Sequence, residues 1–219
     1  MTTEPLQIKI RTYQAADRAA IRRISYETSF LHRPHLFFDD PELVTDALTR
    51  YYLDFEPESC FVAEAQGRVV GYIIGTLDMA RMNYVYGVKI LVPLVCKAIN
   101  HKEFFRGKTM RFILNYLKSV LKGEFRAPNL TREYPSTFHI NVEQDLRGKK
   151  VGSQLIERAL SLLREKSVPG VQFSAMTDEA RDFFVRQGFQ VIYSSRRSFL
   201  RYALGHDTAF HLLVKKLAP

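Results

Sequence analysis

The residues best suited to bind a ligand lie between 142 and 153 (Val-Glu-Gln-Asp-Leu-Arg-Gly-Lys-Lys-Val-Gly-Ser). An alternating run from Thr137 to Glu143 predicts a strand that ends here, and apolar residues at helical spacing begin at Leu155. A short basic loop with two glycines therefore joins a strand to a helix. Helix N-termini offer unpaired backbone N–H groups and the positive end of a dipole. The loop is either a phosphate or pyrophosphate site or an ordinary basic strand–helix turn.

The strand before this loop carries side chains that could handle a proton. Thr137, His139, Asn141 and Glu143 share one face, because side chains alternate along a strand. His139 is the side chain of this face whose unperturbed pKa suits proton transfer near neutral pH. It acts either as a catalytic base or as a hydrogen-bonded structural group.

Composition limits the class of protein. The chain has 219 residues, of which 46% are hydrophobic and 25% charged, as expected for one well-buried domain with room for an insertion. Two cysteines, Cys60 and Cys96, are too few for a disulfide framework or a thiolate metal site. His32 and His35 lack a third ligand at suitable spacing, so we expect no metal. The N-terminus does not resemble a signal peptide, and no apolar run approaches the roughly 20 residues of a spanning helix. We expect a cytoplasmic location.

The positive charge is concentrated in one segment. The formal net charge is +9, and residues 79–135 contain 11 Lys or Arg against 3 acidic residues. Within it, Thr109 to Leu121 predicts an amphipathic helix whose apolar side comprises Met110, Ile113, Leu114, Leu117, Val120 and Leu121. The segment either covers one end of the core or docks on anionic lipid or an acidic partner. Nucleic acid is disfavoured because the aromatic residues fall at helix-core spacing.

Strands and helices alternate through the rest of the chain. A strand at 6–13 precedes two helices, the first capped by Asp17 and the second opened by Asp40-Pro41 and running to about 54. Two apolar runs at 59–65 and 69–77 predict a hairpin. After the strand at 137–143 come a helix to about 165, a strand at 171–176, a helix at 178–187 and strands at 189–193 and 208–216. The alternation from 137 to 193 predicts crossover units and a mixed α/β fold.

Two motifs in this order resemble the GNAT superfamily of acyl-CoA-dependent N-acyltransferases. The pyrophosphate motif of that family, Gln/Arg-x-x-Gly-x-Gly/Ala, matches Arg147 to Gly152, with Lys150 in place of the middle glycine. Its second signature, Asn-x-x-Ala-x-x-Phe-Tyr-x-x-x-Gly-Phe, matches Thr177 to Phe189. Within the superfamily, the runs 40–43, 56–64 and 71–76 and the pairs Tyr134-Pro135 and His139-Ile140 are similar to the acetyltransferase-like domain related to O-GlcNAc hydrolases.

The resemblance implies a three-layer fold in which helices flank a central mixed sheet of about seven strands. Residues 1–219 would form a single GNAT-like domain with a basic, mostly helical insertion at about 79–135. Acetyl-CoA would be the co-substrate, with no metal. Backbone groups of Val142, Glu143 and Gln144 would pair with the pantetheine arm, and the amides of the following loop would take the pyrophosphate, joined by Thr177 from the second motif. The loop residues are Arg147, Gly148, Lys149, Lys150, Val151, Gly152 and Ser153.

The candidate catalytic residues are His139, the remaining side chain of suitable pKa on this strand, and Asn141, whose amide cannot act as a base near neutral pH. The family's usual tyrosine, which protonates the leaving thiolate, falls at Phe184, and in the nearest subgroup an aspartate stands where this chain has Asn141. Three functions stay open. The first is an N-acetyltransferase that acts on a small amine, a peptide or a protein lysine by direct attack in a ternary complex. The second is an acyl-CoA-binding module with little turnover, and the third is a partner- or membrane-docking protein that acts through 79–135.

Overall fold

The computed structural model describes residues 7–100, 107–146 and 148–217, without the side chains of 97–100. Its strands are β1 (Ile8–Thr12), β2 (Cys60–Ala65), β3 (Arg68–Thr76), β4 (Thr137–Val142), β5 (Gly170–Ala175), β6 (Gln190–Arg197) and β7 (Thr208–Lys216). Its helices are α1 (Arg18–His32), α2 (Pro41–Phe55), α3 (Met79–Val85), α4 (Val92–Asn100), α5 (Gly107–Leu121), α6 (Val151–Glu165), α7 (Asp178–Arg186) and α8 (Arg201–Leu204). A π-helical stretch, Tyr86–Leu91, joins α3 to α4.

The seven strands form two antiparallel sheets, β1-β2-β3-β4 and β5-β7-β6. A single parallel bridge between Ser136 and Val171 links the two within the described part of the chain. The predicted mixed α/β architecture of about seven strands is confirmed, with the parallel contact reduced to this bridge. β4, α6 and β5 form the expected crossover.

Helices cover both faces of the sheets, and each face has its own apolar core. On one face, α6 buries Leu155, Ile156 and Leu160 against Phe61, Ile73 and Phe138 of the strands. On the other, Ile21 and Ile24 of α1 and Tyr51 and Tyr52 of α2 pack against Val62, Tyr72 and Ile74. These layers hold β3 and β4 between two cores and so fix the residues at the ends of both strands.

Local signals explain most of the boundaries. Asp40 caps α2 by accepting a hydrogen bond from the Glu42 N–H at 2.8 Å. The hairpin turn places Gln66 and Gly67 at positive φ, as a two-residue turn between twisted strands requires. The Asp17 prediction was wrong in its partner: the carboxylate accepts hydrogen bonds from the Gln14 N–H and the Arg11 guanidinium, and it caps a 3₁₀ turn before α1.

The segment 79–135 differs most from its predicted pattern. The helix at 109–121 is confirmed as α5, but Leu114, Leu117 and Leu121 of its predicted apolar side are exposed to solvent. Phe112 packs inward instead, beside Phe199 of the β6–β7 connection, and Tyr116 contacts Phe199 while staying 40% exposed. Within the mostly helical insertion that the resemblance implied, periodicity outlined no individual helix at 79–100; these residues are helical almost throughout.

Candidate active site

β4 and β5 start side by side and then separate. At their amino ends, Ser136 donates to the Gly170 carbonyl at 3.4 Å and accepts from the Gln172 N–H at 2.9 Å. Beyond this point the described residues contain no further pairing between the two strands. The backbones of residues 138–142 and 173–175 are therefore not hydrogen-bonded to each other, although the Phe138 and Phe173 rings still pack with centroids 4.6 Å apart. The region between these two backbone segments is called the wedge below.

The β4 backbone presents unused hydrogen-bonding groups to the wedge. The Glu143 N–H donates to the Val70 carbonyl at 2.9 Å, in register with the β3–β4 ladder. Because hydrogen-bonded pairs alternate along an antiparallel ladder, Asn141 and His139 also face β3 with their backbone groups. The N–H and C=O groups of Ile140 and Val142 then point away from β3, into the wedge. An extended ligand with amide groups can pair with them as an added strand would.

The loop after β4 ends in an uncapped helix N-terminus. A 3₁₀ turn, Gln144–Leu146, precedes Gly148 at φ +80° and Lys150 at φ 61°. The first intrahelical bond of α6 runs from the Gln154 N–H to the Lys150 carbonyl at 3.1 Å, and the Lys150 side chain does not cap the helix. The N–H groups of residues 151–153 precede that bond and face the end of the wedge. Such a terminus binds anions.

Two lysines, Lys149 and Lys150, directly precede these amides in the sequence. Lys149 and Lys150 are exposed, and neither forms an ion pair with another described residue. Lys150 occupies the left-handed region that glycine prefers, at a cost of roughly 1–2 kcal/mol for a residue with a side chain. Gly152 has a packing role, since a Cβ there would lie 3.2 Å from Cζ of Phe183 in α7. Arg147 lies outside the described residues.

His139 lies on the opposite face of β4 from α6. Its ring meets the Tyr52 ring edge-to-face, with centroids 5.6 Å apart, and its ring nitrogens have no hydrogen-bond partner among the described residues. Solvent reaches the imidazole, yet desolvation by the surrounding protein lowers the pKa of His139 below its ordinary value. The neutral imidazole is therefore the prevailing form near pH 7, with a lone pair free to accept a proton.

Asn141 is held by a tyrosine that the sequence did not single out as a site residue. The Asn141 side-chain amide donates to the Tyr72 hydroxyl at 2.7 Å, and Ser25 of α1 also hydrogen-bonds that hydroxyl. Burial raises the pKa of Tyr72, so the phenol is neutral. Tyr72 lies directly opposite Asn141 in the β3–β4 register. Asn141 is thus fixed in orientation beside His139 and is not itself a base.

No protein-family profile matches this sequence. The protein O-GlcNAcases of Mus musculus and Rattus norvegicus are each 22% identical to it over 184 residues, which is 82% of this chain and 20% of each relative. The chain thus spans about a fifth of the length of these curated relatives. This identity agrees with the resemblance to the O-GlcNAc-hydrolase-related group.

Solved structures share the architecture over nearly the whole chain. SsHAT is 27% identical, with 97% of this chain and 99% of that chain covered and a TM-score of 0.73. A Drosophila melanogaster polyamine N-acetyltransferase that forms N-acetylagmatine is 18% identical, with 96% and 100% covered and a TM-score of 0.61. The ribosomal-protein-S18-alanine N-acetyltransferase of Escherichia coli is 11% identical, with 97% and 96% covered and a TM-score of 0.55.

The fold is that of the GNAT N-acetyltransferases. The structure brings together most of the residues that the GNAT resemblance assigned to acetyl-CoA. Val142 borders the wedge, and the loop residues 148–153 lie at its end. Thr177 follows β5 on the far side of the wedge, where its hydroxyl oxygen accepts from the Ala180 N–H at 3.1 Å and caps α7.

The backbone of Glu143 already has partners within the fold. Its N–H donates to the Val70 carbonyl, and its carbonyl accepts from the Leu146 N–H at 3.1 Å. Its carboxylate lies 2.6 Å from the Arg23 guanidinium and 3.0 Å from that of Arg68. Glu143 therefore ties β4 to α1 and β3, and its backbone N–H is already used. Gln144 begins the 3₁₀ turn, which leaves Val142 as the wedge-facing member of the predicted trio.

The GNAT tyrosine position holds a buried ring. Phe184 packs at 4.4 Å from Phe173 and 5.8 Å from Phe189, centroid to centroid, within the core between α7 and β5. It carries no hydroxyl and does not reach solvent, so it supplies no general acid. The described residues contain no cluster of three or more His, Cys, Asp or Glu side chains that could hold a metal ion.

An open depression of about 750 Å³ lies between the α1–α2 connection, α5 and α8. Its lining is formed by Leu36, Asp39, Gly107, Lys108, Arg111, Tyr202 and Ala203. The apolar cluster beneath it includes Met176, the residue after β5. The depression is therefore separate from the wedge but adjoins the carboxyl end of β5.

Proposed function

We propose that this protein is an N-acetyltransferase that transfers an acetyl group from acetyl-CoA to an amine by direct attack in a ternary complex. The observation that carries the proposal is the wedge, because it joins three complementary features. Backbone groups of Ile140 and Val142 face it, uncapped amides of α6 end it, and Lys149 and Lys150 flank those amides. The first suits an amide-containing arm and the other two suit a pyrophosphate.

The residues of this chain fit the steps of acyl transfer as follows. His139 takes the proton from the acceptor ammonium, directly or through one water, because its pKa lies below the ordinary value and its ring is accessible. The amine nitrogen then bonds to the thioester carbonyl carbon, and the carbon–sulfur bond breaks when the tetrahedral species collapses. A wedge-facing N–H of β4 stabilises the oxyanion. Solvent protonates the leaving thiolate, since Phe184 has no hydroxyl.

The acceptor is proposed to enter from the depression between α5 and α8. Lys108 and Arg111 contribute two cationic groups to its lining, and Asp39 pairs with Lys108 at 3.2 Å. This balance disfavours a polycationic acceptor and favours an amine that also carries an anionic group. An acceptor panel should therefore pair agmatine and spermidine with amino acids and acidic peptides.

The test has two stages. Isothermal titration with acetyl-CoA should show saturable one-to-one binding, and a thiol-release assay over the acceptor panel should then show amine-dependent turnover. His139→Ala should lower kcat with little change in acetyl-CoA affinity, while His206→Ala, an exposed histidine outside the wedge, should leave both unchanged. Absence of saturable binding would refute the proposal.

A second candidate function is an acyl-CoA-binding module without useful turnover. The buried Phe184 ring in place of the GNAT tyrosine favours it. Saturable acetyl-CoA binding without thiol release for any acceptor would establish this function in place of catalysis.

A further inference from the structure

The helical stretch 79–100 presents an apolar face to solvent. Ile90 and Leu94 on its inner side are buried against α2, and the Tyr86 hydroxyl donates to the Ala47 carbonyl at 3.1 Å. The outer side should then be polar in a helix that simply covers a core. Instead its outer residues are between 40% and 72% exposed, and they are Tyr84, Val88, Leu91, Val92 and Val95.

Helix α5 repeats this arrangement. Its inner side packs through Phe112 against Phe37 and Phe199, while four apolar residues on its outer side are between 43% and 87% exposed. The exposed residues are Leu114, Leu117, Val120 and Leu121, spaced by three or four positions as one side of a helix requires. The outer sides of these two helical segments, nine residues in all, are together called the apolar outer face. Several exposed apolar residues on one side of a helix mark an interaction surface.

The two helical segments that carry the apolar outer face contain charges of one sign in the described part of the chain. Residues 79–100 and 107–122 contain Lys and Arg but no Asp or Glu. The neighbouring Glu124 is turned inward, where it accepts a hydrogen bond from the Ser198 N–H at 2.6 Å. Lys118 is exposed and forms no ion pair with another described residue. A complementary partner must therefore combine an apolar layer with negative charge.

We propose that the apolar outer face docks on an anionic membrane surface, with the two helices lying along the interface. Lipid headgroups supply the negative charge and the acyl boundary receives the apolar side chains, as for other interfacial amphipathic helices. A second copy of this chain would instead bring two acid-free cationic surfaces together. No helix in the described ranges is long and apolar enough to cross a membrane, so contact is peripheral.

The proposal does not depend on acetyl transfer, and the experiment separates the two. The full chain is sedimented with vesicles of phosphatidylcholine alone or with 30% phosphatidylserine, at low and high salt. Binding should require the anionic lipid and weaken with salt. Val88→Ser/Leu91→Ser/Val95→Ser and Leu117→Ser/Leu121→Ser should each reduce binding by at least tenfold. Lys118→Gln should reduce it about fivefold, from roughly 1 kcal/mol per basic residue.

The controls use matched residues elsewhere. Val185→Ser/Ile192→Ser removes side chains of similar exposure from α7 and β6, and Lys166→Gln removes an exposed charge from the end of α6. Both should bind vesicles as the unchanged chain does. Acetyl-CoA affinity and the thermal midpoint show whether the outer-face variants remain folded. Equal binding to neutral vesicles, no binding to anionic vesicles, or a concentration-dependent dimer that the outer-face variants abolish would each overturn the proposal.

Discussion

Replacing Lys150 with glycine should separate conformational strain from ligand binding. Lys150 sits at φ 61° immediately before α6, where a side chain costs roughly 1–2 kcal/mol. Glycine removes that cost but adds entropy to the unfolded chain, so the free energy of unfolding should rise by about 0.5–1 kcal/mol. The same change removes an exposed positive charge beside the proposed pyrophosphate site. An exposed charge pair near 4 Å contributes about 1 kcal/mol, so acetyl-CoA affinity should fall about fivefold.

Two further variants isolate each effect. Lys150→Gln keeps the strained conformation and removes the charge, so it should weaken acetyl-CoA binding without stabilising the fold. Ser167→Gly relieves a comparable conformation, φ 53°, at the other end of α6 and should stabilise the fold with no change in binding. Urea denaturation and isothermal titration measure the two quantities. If Lys150→Gly and Lys150→Gln both bind acetyl-CoA as tightly as the unchanged chain, the loop is an ordinary basic turn and the assignment of the pyrophosphate fails.

Three other predictions concern the strand face and the N-terminal helix. With saturating substrates, the fall of kcat on the acid side of its pH profile should have its midpoint below pH 6.5. The pKa of His139 is lowered from 6.5, so the neutral imidazole persists to lower pH. A midpoint above pH 6.5 would contradict the role of His139 as the base. Tyr72→Phe removes the hydroxyl that holds Asn141, so the free energy of unfolding should fall by about 1–2 kcal/mol in urea titrations. An unchanged value would exclude a structural role for this hydrogen bond. The hydrogen bonds from Arg11 lower the pKa of Asp17, so the unfolded chain binds a proton at this carboxylate more readily than the folded chain does. The free energy of unfolding should therefore fall below about pH 4, and the fall should be smaller in Asp17→Asn.

The α6 loop was predictable because its signals are local. Glycines at 148 and 152, the basic residues between them and the start of an apolar helical period all lie within a dozen residues. The structure reproduces the uncapped helix end that this pattern indicates. The sequence shows that Lys150 replaces a glycine of the GNAT motif. Its left-handed backbone conformation is seen only in the structure.

The surroundings of the catalytic strand depend on long-range register. Tyr72 and Asn141 are 69 positions apart, and their hydrogen bond follows from the antiparallel pairing of β3 with β4. Periodicity predicts which residues share a face of one strand but not which residue of another strand lies opposite. For the same reason, the sequence did not predict that the Glu143 backbone is hydrogen-bonded to Val70 and Leu146.

In the segment 79–135, the sequence did not predict which side of each helix faces the core. Sequence patterns show which residues of α5 share an apolar side but not whether that side faces the core or solvent, and the structure exposes Leu114, Leu117 and Leu121. Residues 79–100 are apolar on both sides, so no helical period stands out. Helices with two apolar sides are recognised only when their packing partners are known.

Acetyl-CoA binding by the wedge and the α6 N-terminus is tested most directly by a crystal structure of the complex. The pyrophosphate should lie within hydrogen-bonding distance of the amides of residues 151–153. The pantetheine arm should pair with the backbone of Ile140 and Val142, and the thioester should lie on the His139 side of β4. Coenzyme A bound elsewhere, with these backbone groups left free, would contradict acetyl-CoA binding at this site.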